Sequence, residues 1–331
     1  MKLFGLALTM LLIQAGASAQ TPIAESANPS VEMVFAGDTT LDSSAGEFIR
    51  RGHDPLASFA PLFAKADIRV VNLECVVATK GQALDKHYTF RAHPRVLRVL
   101  QKHVDAVTLA NNHSGDFGRE AFAEMLGLLA QHQIAAIGGG MNLKQAHAPL
   151  ILERKGLRIA LLSYNEFMPR SYEADAQAPG VAWSEDLRVK DDIRNARSVH
   201  RADVVLTLMH WGWENELVAN ARQRQLARLA IDAGADGVLG GHPHVTQDIE
   251  IYKGKPIVYS VGNFVMKETD NERQRQGWVV RLTMNASGVT GFDTFALKID
   301  RRGLPSPDRQ SSSPCWQHNW TEARTCPPAQ P

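Results

Sequence analysis

Five short clusters hold the side chains of this sequence that could do chemistry. They are Asp38 ending VEMVFAGD, Glu74 after IRVVNL, Asn112 and His113 in DAVTLANNH, His210 in DVVLTLMHWG, and His242 and His244 in GVLGGHPHVTQ. Each follows an apolar run. The set offers carboxylate, amide oxygen and imidazole but no thiolate, a mixture that suits divalent Mn, Zn or Fe and fits copper(I) poorly. Taken singly, each has an ordinary structural explanation. Gly37-Asp38 reads as a turn, Asn112-His113 as a hydrogen-bonding loop end, and His210 beside Trp211 as a packed histidine. His242 and His244 are two apart, which on an extended segment puts both on one side, and Pro243 fixes the backbone between them. Five such endings in succession are hard to explain as packing.

The elements that must deliver these groups alternate strand with helix. Val31–Asp38, Ile68–Leu73 and DAVTLANNH read as buried strands. PRVLRVLQKH and REAFAEMLGLLAQHQ have helical period, and the second leads to IAAIGGG. LRIALLSYN is a further strand, and SEDLRVKDDIRNARSVH is expected to be helical to about Val199 with Ser184 as its cap. NARQRQLARLAIDAG ends on Gly234 as a C-terminal cap would. This alternation predicts an α/β fold, in which strand carboxyl ends line the ligand crevice. From Gln247 onward apolar and polar residues alternate around Lys253-Gly254 and Ser287-Gly288, which predicts antiparallel hairpins and adds α+β character. After about Asp300 the composition turns to Pro, Ser, Arg and Gln, and a poorly ordered tail over 301–331 is expected.

The chain opens MKLFGLALTMLLIQAGASAQ, with one charge at Lys2, an apolar stretch from Leu3 to Ile13 and an A-x-A arrangement at Ala17 and Ala19. That pattern predicts a signal peptide over 1–19, a polar linker over 20–30 and an exported protein, periplasmic or secreted. The apolar stretch is short against the ~20 residues of a bilayer span, and no later segment is apolar enough to cross a membrane. The 36 basic residues balance the 35 acidic ones, so the composition gives no electrostatic basis for binding nucleic acid. Cys315 and Cys326 are expected to pair as a disulfide in an exported chain. Cys75, inside an apolar run, reads as a buried small hydrophobe or a thiol nucleophile.

The ordered series GD, NLE, ANNHSGDFG, HWGWE, GGHPHV and YSVGNFV resembles the capsule-synthesis CapA family of poly-γ-glutamate production, itself similar to calcineurin-like metallophosphoesterases. The resemblance covers Val31 to Val265. It implies a domain over 31–300 built as a layered sandwich of two central mixed β-sheets flanked by helices. It implies two metals bridged by Glu74, one also held by Asn112, His210 and His242, the other by Asp38 and His244. His113 would act on the substrate, oriented by a neighbour such as Asp116. The phosphoesterase pattern has a histidine where Thr40 stands, so one tight site and a second, weaker one are expected. Arg91 in FRAHP is a candidate to pair with a substrate carboxylate or phosphate, the alternative being a surface salt bridge. Glu214 is either support for a ligand histidine or a solvated loop carboxylate. The partners expected are an anionic polymer or phosphoester substrate and proteins of capsule synthesis or export.

Overall fold

The computed structural model describes Met1 and residues 29–329; the expected signal peptide and most of the expected linker lie outside the described residues. Among the described residues, a ten-stranded and a six-stranded sheet form the centre. In the large sheet, Val31–Thr39 pairs in parallel with Ile68–Leu73, which pairs in parallel with Ala106–Thr108, and Ala135–Ile137 follows at the edge. On its other side Val31–Thr39 pairs antiparallel with Gln276–Asn285, the first strand of the Ser287-Gly288 hairpin. In the small sheet Val204–His210 lies between Leu157–Asn165 and Gly237–Gly241, parallel to both. Ile249–Tyr252 and Lys255–Val258 form the expected hairpin about Lys253-Gly254.

Strand alternation sorts the apolar side chains into layers. Val31, Met33 and Phe35 join Ile159, Leu161 and Leu206 in a cluster between the two sheets. Val34 and Ala36 face the other way, against Phe59, Phe63, Leu97 and Phe122 from the helices covering the large sheet. Ala160, Leu162 and Val205 pack against Val189, Ile193, Leu226 and Ala230 of the two helices covering the small sheet. The result is four layers, helix on sheet on sheet on helix, with the two sheets at the centre.

Two local expectations are corrected. Ser184 does not cap the following helix, which runs Asp186–Ser198; its hydroxyl donates to the Glu166 carboxylate. The helix begins one residue later than expected, with Glu185 in the capping position, so Ser184 lies outside its first turn. The segment after Asp300 is also ordered where the structure describes it. Pro305–Pro307 and Ser313–Gln317 each pair antiparallel with Gly288–Ile299, and Arg324–Cys326 pairs with Ser313–Gln317. Composition missed this because the ordering comes from pairing at a sheet edge, from burial of Trp316 and from the Cys315–Cys326 disulfide, whose Cα atoms are 5.9 Å apart. By contrast, Gly234 ends the helix Ala221–Ala233 in the left-handed conformation that a glycine cap permits. Among the described residues no helix is long and apolar enough to cross a membrane.

Candidate metal centre

The parallel strands of both sheets end on one rim, and all five clusters meet there. Asp38 is next to last in its strand, Glu74 follows Leu73, and His210 is the final residue of Val204–His210. Gly241 ends the neighbouring strand, and a Cβ there would lie 2.7 Å from Asp38 Oδ1. Glycine at that position lets the two sheets bring their polar ends together.

His242 and His244 are not extended, contrary to expectation. Their φ angles are 94° and 58°, in the left-handed region that side chains disfavour. Such strain costs roughly 1–3 kcal/mol per residue and persists where the surroundings fix it. Here the His242 amide donates to Asp38 Oδ2 at 3.1 Å. The bend sends the two imidazoles to different partners instead of to one side.

Two triads result, each with its ligand atoms within 4.8 Å of one another: Glu74, His210 and His242, and Asp38, Glu74 and His244. In the first, His210 Nε2 lies 3.3 Å from Glu74 Oε1, 2.8 Å from Asn112 Oδ1 and 3.1 Å from His242 Nδ1. In the second, His244 Nδ1 lies 3.2 Å from Asp38 Oδ2 and 3.9 Å from Glu74 Oε2. Glu74 is common to both. All these side chains are buried.

A buried polar atom without a hydrogen bond costs about 1–3 kcal/mol, and among the described residues three such atoms stand here together: both Glu74 carboxylate oxygens and His242 Nε2. A divalent ion would satisfy them. Burial, reinforced by the charges of His210 and His244, holds His242 well below the ordinary histidine range, so its imidazole is neutral. Burial opposes charge on His244 too, but Glu74 and Asp38 outweigh it and raise the group to about 10. Burial would raise Asp38, yet hydrogen bonding to His244 and the charge of His210 leave its carboxyl below the usual range. The two carboxylates thus draw positive charge into the space between them, as a metal pair would supply. The donor set is compatible with a divalent metal site.

His113 stands beside this centre. Its Nδ1 donates to Asp116 Oδ2 at 2.8 Å, and Asp116 also accepts from Lys86 Nζ at 2.6 Å and from the Phe90 amide at 2.7 Å. This leaves His113 Nε2 for a cavity of about 160 Å³ lined also by His244, Glu214, Tyr88, Phe90 and Lys267. Glu214 is exposed. Arg91 is not in that cavity. Phe90, just before the short strand Arg91–Ala92, packs on the His113 ring, while Arg91 is exposed. The Arg91 guanidinium lies 4.2 Å from the Phe117 ring centroid and donates to the carbonyls of Lys80 and Gly81. Cys75 is fully buried with its thiol pushed up by burial, the environment of an inert cysteine. Thr40 is buried with its hydroxyl toward the Glu74 carbonyl, so the second triad gains no imidazole from that position.

Sequence reasoning passed over two supporting amides. Asn72 Nδ2 donates to Asp38 Oδ1 at 2.7 Å and lies 3.2 Å from His210 Nδ1, while its Oδ1 accepts from Thr108 and Asn111. Asn263 Oδ1 lies 2.9 Å from His244 Nδ1. Partners of this kind orient metal ligands. Both lie inside quoted stretches, Asn72 near the carboxyl end of its strand two residues before Glu74 and Asn263 at the start of the strand Asn263–Val265 in YSVGNFV, and for Asn72 that place at a strand end was the available signal.

Comparison with known proteins fits this geometry. The family described as bacterial capsule synthesis protein PGA_cap matches residues 32–268. The PGA biosynthesis protein CapA of Bacillus subtilis (strain 168) is 29% identical over 284 residues, covering 84% of this chain and 74% of that one. A probable polyglutamine synthesis accessory protein of Mycobacterium tuberculosis is 32% identical over 212 residues, 60% of this chain and 55% of that one. Among solved structures, a novel phosphatase of Mycoplasma pneumoniae superposes with a TM-score of 0.55 at 15% identity, covering 82% of this chain and 95% of that one. That last likeness concerns fold, and it agrees with the metallophosphoesterase-like sandwich of two mixed sheets expected from the sequence. With most of its length matched, strand ends and polar clusters included, the chain belongs to the bacterial capsule synthesis protein PGA_cap family.

Proposed function

We propose that this chain is an exported, metal-dependent hydrolase or transferase of poly-γ-glutamate capsule biosynthesis, acting on an amide or phosphoester bond of an anionic polymer. The observation that carries the proposal is the pair of buried triads sharing Glu74, with both Glu74 oxygens and His242 Nε2 lacking other partners. Glu74, Asn112, His210 and His242 would hold one ion, and Asp38, Glu74 and His244 the other. A divalent pair at such a centre lowers the pKa of water and stabilises developing negative charge. Asn72 and Asn263 keep the ligand groups oriented. His113, fixed through Nδ1 by Asp116, presents Nε2 to the cavity and can give a proton to a leaving atom there. The family model and the biosynthetic name of the Bacillus subtilis relative support the capsule role.

A second reading, a non-catalytic partner of capsule assembly or export proteins, draws on Thr40, which leaves the Asp38 side one imidazole short. The accessory name of the mycobacterial relative agrees with it. A general metallophosphoesterase is the third alternative. Turnover of p-nitrophenyl phosphate and of a γ-glutamyl oligomer, with and without Mn or Zn, separates the three. The hydrolase reading predicts metal-dependent cleavage of the oligomer that falls roughly 10²–10⁴-fold in His113→Ala while metal content is kept. Metal retention without turnover of either compound favours the accessory role, and turnover of the phosphate alone favours the general phosphoesterase.

A further inference from the structure

One cation at the mouth of the centre has no role in the ligand set. Lys267 lies two residues beyond the strand Asn263–Val265, and it lines the cavity that also holds His113 and His244. Its amine sits 4.6 Å from the Tyr88 ring centroid and 6.0 Å from that of Phe90. The Phe90 ring in turn lies 4.3 Å from that of His113. Lys86, the other amine beside His113, is committed to Asp116 and to the Asn112 carbonyl. Among the described residues no carboxylate comes within ion-pair distance of Lys267, although its charge reaches Asp42. A half-buried ammonium held over aromatic faces is positioned by them while its N–H donors stay available.

We propose that Lys267 anchors a carboxylate of the substrate, placing the adjoining bond between the metal centre and His113. This assignment rests on the enzymatic reading above. The charges of the wall select among anions. Glu214 and Glu268 line the same cavity, and Glu268 also accepts from Ser44 Oγ. His244 and any bound metal lie at the buried end of the cavity, whereas Lys267 shares the open end with the exposed Glu214 and Glu268, so that end repels a dianionic phosphomonoester more than a single carboxylate. The chemistry that fits is an acidic amino-acid unit in amide linkage.

The test compares wild type with Lys267→Met, which keeps the length of the side chain and removes its charge, and with Lys267→Arg, which restores a cation. Metal content and thermal unfolding of each are measured first. Each protein, Mn-loaded and metal-free, is then titrated calorimetrically with γ-glutamyl-glutamate, with its fully amidated analogue and with inorganic phosphate. Lys267→Met is expected to weaken γ-glutamyl-glutamate at least tenfold, with Lys267→Arg recovering most of the loss. The amidated analogue and phosphate are expected to change less than twofold. Equal affinity of wild type and Lys267→Met for γ-glutamyl-glutamate, or no binding by wild type, overturns the assignment. A loss confined to phosphate overturns the carboxylate preference. A wild type that takes up no metal defeats the metal-centre reading instead, and the metal-free titrations still decide the role of Lys267.

Discussion

Among the described residues the Glu74 carboxylate has no partner other than the histidines around it, and each of its oxygens faces a different one: Oε1 meets His210 and Oε2 meets His244. A side chain that only packed there would leave both oxygens buried at a cost of roughly 1–3 kcal/mol each. Glu74→Gln keeps the shape and removes the charge shared by the two triads. We expect the purified variant to bind less than half the metal of wild type by elemental analysis, with its secondary structure intact. Retention of the full complement would show that Glu74 is not the shared ligand. Glu74 was legible in the sequence because it follows an apolar strand in the family order. Asn72 was not, because an amide before a carboxylate looks like any strand end until the second sheet brings His210 against it.

The bend after Gly237–Gly241 does what a straight strand could not. Extended backbone would send His242 and His244 to one side, whereas the left-handed conformations at both divide them between the triads. Spacing therefore identified the residues and missed their geometry, since a strained φ is imposed by the Asp38 contact and carries no local signature. The glycine before the bend is equally specific. In Gly241→Ala the new methyl group meets Asp38 Oδ1 at 2.7 Å and must push the carboxylate aside. We expect that variant to lose metal from the Asp38 triad first, so that titration shows one class of site where wild type shows two. Two unchanged classes would mean that Asp38 does not ligate. The C-terminal strands teach a related lesson: the Cys315–Cys326 disulfide was expected, but the Pro- and Ser-rich composition hides the strands that pair along the sheet edge, and pairing supplies the order that local propensity lacks.

For the whole molecule, the site depends on two sheets held in register by the apolar cluster between them. Leu161 lies in that cluster, fully buried on the strand next to Val204–His210. Leu161→Ala should lower unfolding free energy by about 2–5 kcal/mol through lost burial and a residual cavity, measured by denaturant unfolding of the metal-free chain. A change below about 1 kcal/mol would place the weight of the fold elsewhere, since 2 kcal/mol is the low end for such substitutions. The layered plan was readable because buried parallel strands and amphipathic helices alternate in the sequence. How closely the sheets approach was not, because that distance is set by contacts between residues far apart in the chain, such as His210 with Asn112 and with Glu74. The most direct measurement is anomalous diffraction from crystals of the protein loaded with Mn or Zn. The account predicts a peak within coordination distance of Glu74, Asn112, His210 and His242, with a weaker one beside Asp38 and His244. Crystals soaked at saturating metal that show no peak between these side chains would contradict it.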